Sequence, residues 1–363
     1  MTPMRDFKPF TEVHKLDWEA LVRNIRRQGT PSRVFNIELF QDWEIEEAVD
    51  QRYGVTRGLD RSAPDFGWKR SIAMQRFLGY EWVGTSVGGL DTGEGLKAED
   101  TTEAGQKRGE RKWIHEDKGL ITNWEELEKY PWPKVGEADT RALEWFEKHL
   151  PDDMCIVARQ GHFCEYLCWL MGYETLCIAL HEDRPLLAEI TKRVVEREEA
   201  WLKVMLQSKR VKITWASDDL GFKTQLLFSP KDMREFVLPG HKRLAAMSHA
   251  AGHPYILHAC GCRAAILEDL IEDVKLDGIH SWEDTIEKIT DAKVAYGHRL
   301  SLLGGLDLDF LIRADEERIR SRVRETVKTC QPGGGFCLGT GNTVANYIPL
   351  DNYLAMLDEG RKL

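Results

Sequence analysis

A histidine and a cysteine at alternating positions, His258 and Cys260, are the residues of this chain best placed to bind a metal ion. They close an apolar run, PYILHAC (254–260), whose composition predicts a strand. Residues i and i+2 of a strand face the same side, so the imidazole and the thiolate can reach one ion, and both suit zinc. Cys337, on another predicted strand, is the candidate third ligand, because three protein ligands and an open position are typical of catalytic zinc. Cys262 is an alternative ligand, and an inert buried cysteine beside a hydrogen-bonded histidine is the alternative to any metal site.

Other polar residues also lie where predicted strands end. Glu165 and Asp219 are candidate proton donors, and His280 is a candidate catalytic group. The side chains predicted to contact a substrate are Arg159, His162, Trp215, Glu283 and Asn342. Each has a structural alternative: an Asp-Asp pair can cap a helix or solvate a turn, acidic residues favour a first helical turn, and tryptophans pack in cores.

The elements that must position these residues alternate between strands and helices. Apolar runs predict eight strands, at 32–39, 80–87, 154–161, 211–217, 254–260, 276–282, 299–305 and 334–340. Helical periodicity fills much of the sequence between them, as in 184–208 and 262–274, and this alternation implies a parallel sheet. We therefore predict an α/β protein.

The predicted architecture is a single (β/α)₈ TIM barrel over residues 1–363, with an N-terminal helical extension and an elaborated loop region around 88–135. The candidate residues then lie at the carboxyl ends of the strands, where barrel enzymes have their active sites. A doubly wound sheet is the alternative, but no G-x-G-x-x-G follows the first predicted strand.

Composition excludes several classes of protein. The 60 acidic residues outnumber the 50 basic ones, which argues against a protein that coats nucleic acid. No apolar run approaches the roughly 18 residues of a membrane helix, and the amino terminus lacks the apolar core of a signal peptide. We therefore expect a cytoplasmic protein without nucleic-acid or membrane partners, and its eight cysteines need not form disulfides.

Several longer segments resemble the uroporphyrinogen decarboxylase superfamily. They include SDDLGFKTQLLFSPKDMREFVLPGHKRL (217–244), LSLLGGLDLDFL (300–311) and GGGFCLGTGN (333–342). The resemblance covers nearly the whole chain and implies a TIM barrel. True uroporphyrinogen decarboxylases have an amino-terminal R-Q-A-G-R stretch, and nothing like it precedes Arg159.

Within that superfamily, His258, Cys260 and Cys337 resemble the zinc ligands of the cobalamin-dependent methyltransferases, although the sequence around Cys337 differs from theirs. The resemblance implies Zn²⁺ and methyl transfer between a small methylated substrate and the cobalt of a separate corrinoid protein. A methoxylated aromatic compound is the expected substrate, which makes the reaction an O-demethylation. The corrinoid (cobalamin) would come from a partner, because the chain lacks an Asp-x-His-x-x-Gly motif. A metal-free decarboxylase and a non-catalytic corrinoid- or porphyrin-binding protein are the alternatives, and a homodimer is a further expectation.

Overall fold

The structure of the protein is a computed structural model that describes residues 10–12, 14–93, 96–99, 110–113 and 119–363. Its strands are β1 (Trp82–Thr85), β2 (Leu96–Glu99), β3 (Glu110–Trp113), β4 (Cys155–Arg159), β5 (Val211–Ser217), β6 (Tyr255–His258), β7 (Gly278–His280), β8 (Ser301–Leu306) and β9 (Phe336–Thr340).

The helices lie before, between and after these strands. They are α1 (Trp18–Ile25), α2 (Trp43–Tyr53), α3 (Phe66–Leu78), α4 (Trp124–Lys129), α5 (Arg141–His149), α6 (Cys164–Met171), α7 (Tyr173–Glu182), α8 (Arg184–Met205), α9 (Pro230–Asp232), α10 (Leu238–Ala250), α11 (Leu267–Glu272), α12 (Ile289–Tyr296), α13 (Leu308–Arg313), α14 (Glu316–Cys330) and α15 (Leu350–Gly360). A π-helical turn, Met233–Val237, joins α9 to α10, and a 3₁₀ turn, Ala264–Ile266, precedes α11.

The chain divides into two compact units. The first unit comprises Met1–Val83, Leu150–Cys155 and Gly278–Leu363, and the second unit comprises Gly84–His149 and Ile156–Asp277. The single domain expected over 1–363 stays a prediction.

In the second unit, β4, β5 and β6 are parallel neighbours in chain order. Helices α6, α7 and α8 connect β4 to β5, and α10 lies between β5 and β6. Helix α8 begins where the sequence predicts, because the Asp183 side chain accepts a hydrogen bond from the N–H of Leu186 at 3.1 Å and Pro185 lies in the first turn. This unit shows the alternation that the sequence predicts.

In the first unit, β7, β8 and β9 are likewise parallel and in chain order. The predicted strand 32–39 is reduced to one parallel bridge, between Asn36 and Leu338. The N–H of Thr340 would extend that ladder, but it donates to Oε1 of Glu38 at 2.7 Å instead of to a backbone carbonyl. A side chain therefore ends the pairing at this edge of β9.

The α/β class is confirmed, and each of the seven later predicted strands overlaps an observed strand. Helices α1, α2 and α3 lie in the N-terminal region, and the helical extension expected before the barrel stays a prediction. The region 88–135 contains the antiparallel pair β2–β3 and helix α4, and its residues 94–95, 100–109 and 114–118 lie outside the described residues. Among the described helices, none has the length and apolar character required to cross a membrane.

Candidate functional site

Three side chains with metal-binding atoms lie together just beyond β5 and at the end of β6: Asp219, His258 and Cys260. Nε2 of His258 is 3.2 Å from Sγ of Cys260, and the ligand atoms of all three residues lie within 4.8 Å of one another. We name these three residues the metal-binding cluster. The sequence predicts Asp219 as a proton donor, whereas the structure places its carboxylate among the possible ligands.

Backbone hydrogen bonds hold the cluster in register. The N–H of Asp218 donates to the carbonyl of His258 at 2.9 Å, and the N–H of Leu220 donates to the carbonyl of Cys260 at 3.3 Å. The parallel pairing of β5 and β6 therefore continues beyond both strands. It brings a carboxylate beside a histidine and a cysteine that lie about 40 residues later.

Beyond this pairing, the loop after β5 and the loop after β6 lie against each other. Gly261 has a φ of +84°, and a Cβ built on it would lie 1.8 Å from the carbonyl oxygen of Gly221. Both facts require glycine at position 261. The N–H of Cys262 then donates to the carbonyl of Phe222 at 2.7 Å, and Cys262, the alternative ligand, is outside the metal-binding cluster.

The surroundings of His258 keep its imidazole neutral. Burial, reinforced by the positive charges of Arg159 and Arg263, lowers the pKa of His258 to about 3. A metal ion binds the neutral imidazole, so this environment favours the form that a ligand requires. Burial also lowers the pKa of Arg159 to about 9, and its guanidinium lies 4.0 Å from the ring centre of Trp215. Trp215 is buried beneath that guanidinium, and the substrate contacts expected of Arg159 and Trp215 stay predictions.

A histidine–carboxylate pair lies at the start of α6. Nδ1 of His162 is 2.7 Å from Oε2 of Glu165. Burial raises the pKa of the Glu165 carboxyl, and Asp218 and Asp219 add to that effect while His162 opposes it. The structure thus joins two residues that the sequence assigns separately, and it places a carboxyl with a raised pKa where a proton donor is expected.

A pocket of about 220 Å³ adjoins the metal-binding cluster, since Asp219 lines it, and Glu165 is a further lining residue. Its other walls include the aromatic rings of Trp169, Tyr173 and Phe222. The rings of Tyr173 and Phe222 meet edge to face, with centres 6.1 Å apart. A pocket lined by three aromatic rings and two carboxyl groups suits a small flat molecule with a polar end.

The remaining candidate residues belong to the first unit. His280 ends β7 and is buried, whereas Glu283 and Asn342 are half-buried in the loops after β7 and β9. Cys337 is buried within β9, and its Sγ accepts a hydrogen bond from Nδ2 of Asn24 at 3.4 Å. Burial raises the pKa of the Cys337 thiol well above its usual range. The roles predicted for these four residues stay predictions.

Sequence reasoning missed the three aromatic residues of the pocket and the role of Asp218. Trp169 and Tyr173 lie on or beside apolar helices whose periodicity indicates packing, so no local signal distinguishes them. Asp218 is fully buried and contacts His241, which lies 23 residues later on α10. The only sequence signal for Asp218 is the Asp-Asp pair.

The fold and the site together define an α/β protein with parallel strands and a cluster of metal-binding groups at strand ends. Residues 122–363 match the uroporphyrinogen decarboxylase (URO-D) family, which is two thirds of the chain. The chain belongs to the uroporphyrinogen decarboxylase family.

Two proteins of Methanosarcina mazei are similar to this chain. A methylated-thiol–coenzyme M methyltransferase is 32% identical over 130 residues, which is 36% of this chain and 32% of that protein. The match thus spans about a third of that relative's length. The solved structure of a methyltransferase from the same organism superposes with a TM-score of 0.65 at 17% identity, covering 94% of this chain and 97% of that one. This likeness supports the fold.

Proposed function

We propose that the protein is a zinc-dependent methyltransferase that moves a methyl group between a small methylated substrate and the cobalt of a separate corrinoid protein. The observation that carries the proposal is the metal-binding cluster beside an aromatic pocket. The methyltransferase relative and the family membership support it. The closed (β/α)₈ barrel, the cytoplasmic location and the homodimer expected from the sequence belong to the same proposal.

The residues present fit zinc. Imidazole nitrogen, thiolate sulfur and carboxylate oxygen are its usual protein ligands, and three such ligands leave a position open for substrate. Resemblance favours Cys337 as the third ligand, but geometry favours Asp219, whose carboxylate lies within 4.8 Å of the other ligand atoms. We propose Asp219, and Cys337 stays the alternative that variants test. When bound, zinc would supply a Lewis acid for the oxygen of a methyl ether.

The aromatic pocket supports a methoxylated aromatic substrate. Trp169, Tyr173 and Phe222 would hold the ring, and the methoxy oxygen would point toward Asp219 and the cluster. In the transfer, the methyl carbon–oxygen bond breaks. The partner's reduced cobalt would supply the electron pair for the new bond to the methyl carbon, and the oxygen would depart as a phenoxide.

The His162–Glu165 pair would supply a proton to that phenoxide. The raised pKa of Glu165 keeps its carboxyl protonated to higher pH than an exposed glutamate. His162 holds the carboxyl in place through its Nδ1. A positioned acid of this kind contributes roughly 10²-fold or more to the rate.

Methyl transfer to cobalt tests the proposal directly. The purified protein is mixed with 2-methoxyphenol and cob(I)alamin or a reduced corrinoid protein, and the change in cobalt absorption is followed. We expect formation of methylcobalamin and catechol, loss of that activity after zinc removal by a chelator, and recovery on adding zinc. Transfer that is unchanged after complete zinc removal would contradict the metal's role. Failure with methyl ethers, amines and thiols alike would contradict the function.

A further inference from the structure

Three buried side chains of the second unit form a continuous hydrogen-bonded chain that ends on α6. The hydroxyl of Tyr255 lies 2.8 Å from Nδ1 of His241, and Nε2 of His241 lies 2.9 Å from Oδ2 of Asp218. All three side chains are fully buried. One tautomer satisfies every group: Tyr255 donates to Nδ1, and Nε2–H of His241 donates to the carboxylate.

The carboxylate of Asp218 caps the start of α6. Oδ2 accepts from the N–H of Phe163 at 3.1 Å and of Cys164 at 2.8 Å, and Oδ1 accepts from the N–H of Glu165 at 2.8 Å. No side-chain cap comes from Phe163, the residue that precedes the helix. Asp218, which lies 53 positions after Glu165 in the sequence, therefore accepts the hydrogen bonds that a neighbouring N-cap residue normally accepts.

The Asp218 side chain is connected to only one of the two parts of the candidate site, which are the metal-binding cluster and the His162–Glu165 pair. The backbone pairing after β5 and β6 already sets the register of the metal-binding cluster, and the Asp218 side chain takes no part in it. The Asp218 side chain instead accepts a hydrogen bond from the backbone N–H of Glu165. The carboxylate of Glu165 in turn pairs with His162. The Asp218 carboxylate is thus connected to the proposed proton donor but not to the cluster's register.

We propose that Asp218 is a positioning residue, oriented by His241 and Tyr255, that fixes the first turn of α6 and so aims the His162–Glu165 pair at the substrate. Asp218 itself does not contact the reacting atoms. The inference rests on the proposed function for its kinetic consequence, because it takes Glu165 as the proton donor. Its structural part is independent of that function.

The test combines Asp218→Asn with Glu165→Gln. The asparagine has one acceptor oxygen and turns its NH₂ toward backbone N–H groups, so the cap is broken with little change in volume. We expect kcat for methyl transfer to fall roughly 10²-fold, as for a misplaced catalytic group. In the Glu165→Gln background, Asp218→Asn should lower kcat by less than about threefold further, since coupled residues are not additive. Equal losses in both backgrounds would overturn the proposal.

Two further measurements do not depend on activity. Hydrogen exchange followed by mass spectrometry should show faster exchange of the amides of 163–165 in Asp218→Asn, while zinc content stays at the wild-type value. Unchanged protection of these amides, or zinc loss as severe as in a ligand variant, would overturn the proposal. If the wild-type protein transfers no methyl group at all, the proposed function fails and the exchange experiment still decides the role of Asp218.

Two control variants separate positioning from general stability. Asp183→Ala removes the cap of α8 in the same unit, and we expect it to leave kcat unchanged. Tyr255→Phe removes only the far hydrogen bond of the chain and should give a smaller loss of kcat than Asp218→Asn, in a protein that folds. A Tyr255→Phe protein with wild-type kcat and wild-type exchange at 163–165 would remove Tyr255 from the proposal.

Discussion

Cys260 and Cys337 are both associated with parallel strands, but their surroundings differ. Cys260 follows β6, is half-buried, and places its Sγ 3.2 Å from an imidazole nitrogen beside an exposed carboxylate. Cys337 lies inside β9, is buried, and accepts a hydrogen bond from the amide of Asn24. The same Asn24 amide donates to the carbonyl of Phe336 at 2.7 Å, so it belongs to the packing of α1 against β9.

The difference shows that a cysteine on a strand binds zinc only where its surroundings also favour metal binding. A thiol must lose its proton to bind zinc, and the neutral imidazole next to Cys260 can share the ion. Burial around Cys337 raises the pKa of its thiol and so favours the neutral form. Variants of the cluster residues and of Cys337 test this comparison between a ligand cysteine and a core cysteine.

The largest effect is expected for the residues of the histidine–cysteine pair. His258→Ala and Cys260→Ala each remove a ligand, and we expect less than about a tenth of the wild-type zinc to remain, since a two-ligand site is weak. Metal analysis of the purified variants measures this, with circular dichroism to confirm folding. Full zinc content in either variant would show that the cluster is not the metal site.

A smaller loss is expected for Asp219→Ala. Removing the third ligand should weaken zinc binding by at least about tenfold, the lower bound for loss of even an outer-shell partner. Competition with a chelator measures the affinity, and Asp219→Asn is the matched variant of similar volume that retains one oxygen. If Asp219→Ala keeps wild-type affinity while Cys337→Ala loses it, the sequence-based ligand set is correct and the geometric one is wrong.

The sequence predicts that His258 and Cys260 lie together, but it does not predict that Asp219 joins them. Alternation along a strand is enough to join His258 and Cys260, because both lie on one short segment. Asp219 reaches them only through the loop pairing that Gly221 and Gly261 permit, and that pairing depends on tertiary structure. Seven of the eight apolar runs likewise overlap an observed strand.

The predicted strand 32–39 is reduced to a single bridge for the same reason, namely a contact between residues far apart in the sequence. The run 32–39 is apolar enough for a strand, but Glu38 uses its carboxyl to bind the backbone N–H and the hydroxyl of Thr340. A side chain that competes for a ladder hydrogen bond across 302 positions leaves no periodic signal. Local patterns therefore predict elements, whereas side-chain contacts between distant residues decide where pairing ends.

Glu38 gives a pH-dependent prediction for the core around β9. Burial raises its pKa to about 8 although Thr340 donates two hydrogen bonds to it. A raised pKa means that the contribution of Glu38 to stability is fully present below the unfolded value of 4.5 and is lost as the pH rises through about 8.

Glu38→Gln mimics the protonated form and should remove this loss. Between pH 6 and pH 9, the free energy of unfolding of the wild type should fall relative to that of Glu38→Gln by about 1 kcal/mol or more. Urea unfolding at both pH values measures the difference, and Thr340→Val identifies the part that depends on the hydroxyl. A constant difference across this pH range would show that Glu38 is ionised in the folded protein throughout.

The smallest effect is expected for Cys337→Ala. If Cys337 is a core residue, the variant loses one buried sulfur and a weak hydrogen bond, which should lower the free energy of unfolding by about 1 kcal/mol. Zinc content and affinity should stay at wild-type values, because the metal-binding cluster is intact. Denaturant unfolding and metal analysis on the same preparation separate the two readouts. Zinc loss comparable to that of Cys260→Ala would make Cys337 a ligand, and the raised pKa of its thiol would then describe only the metal-free protein.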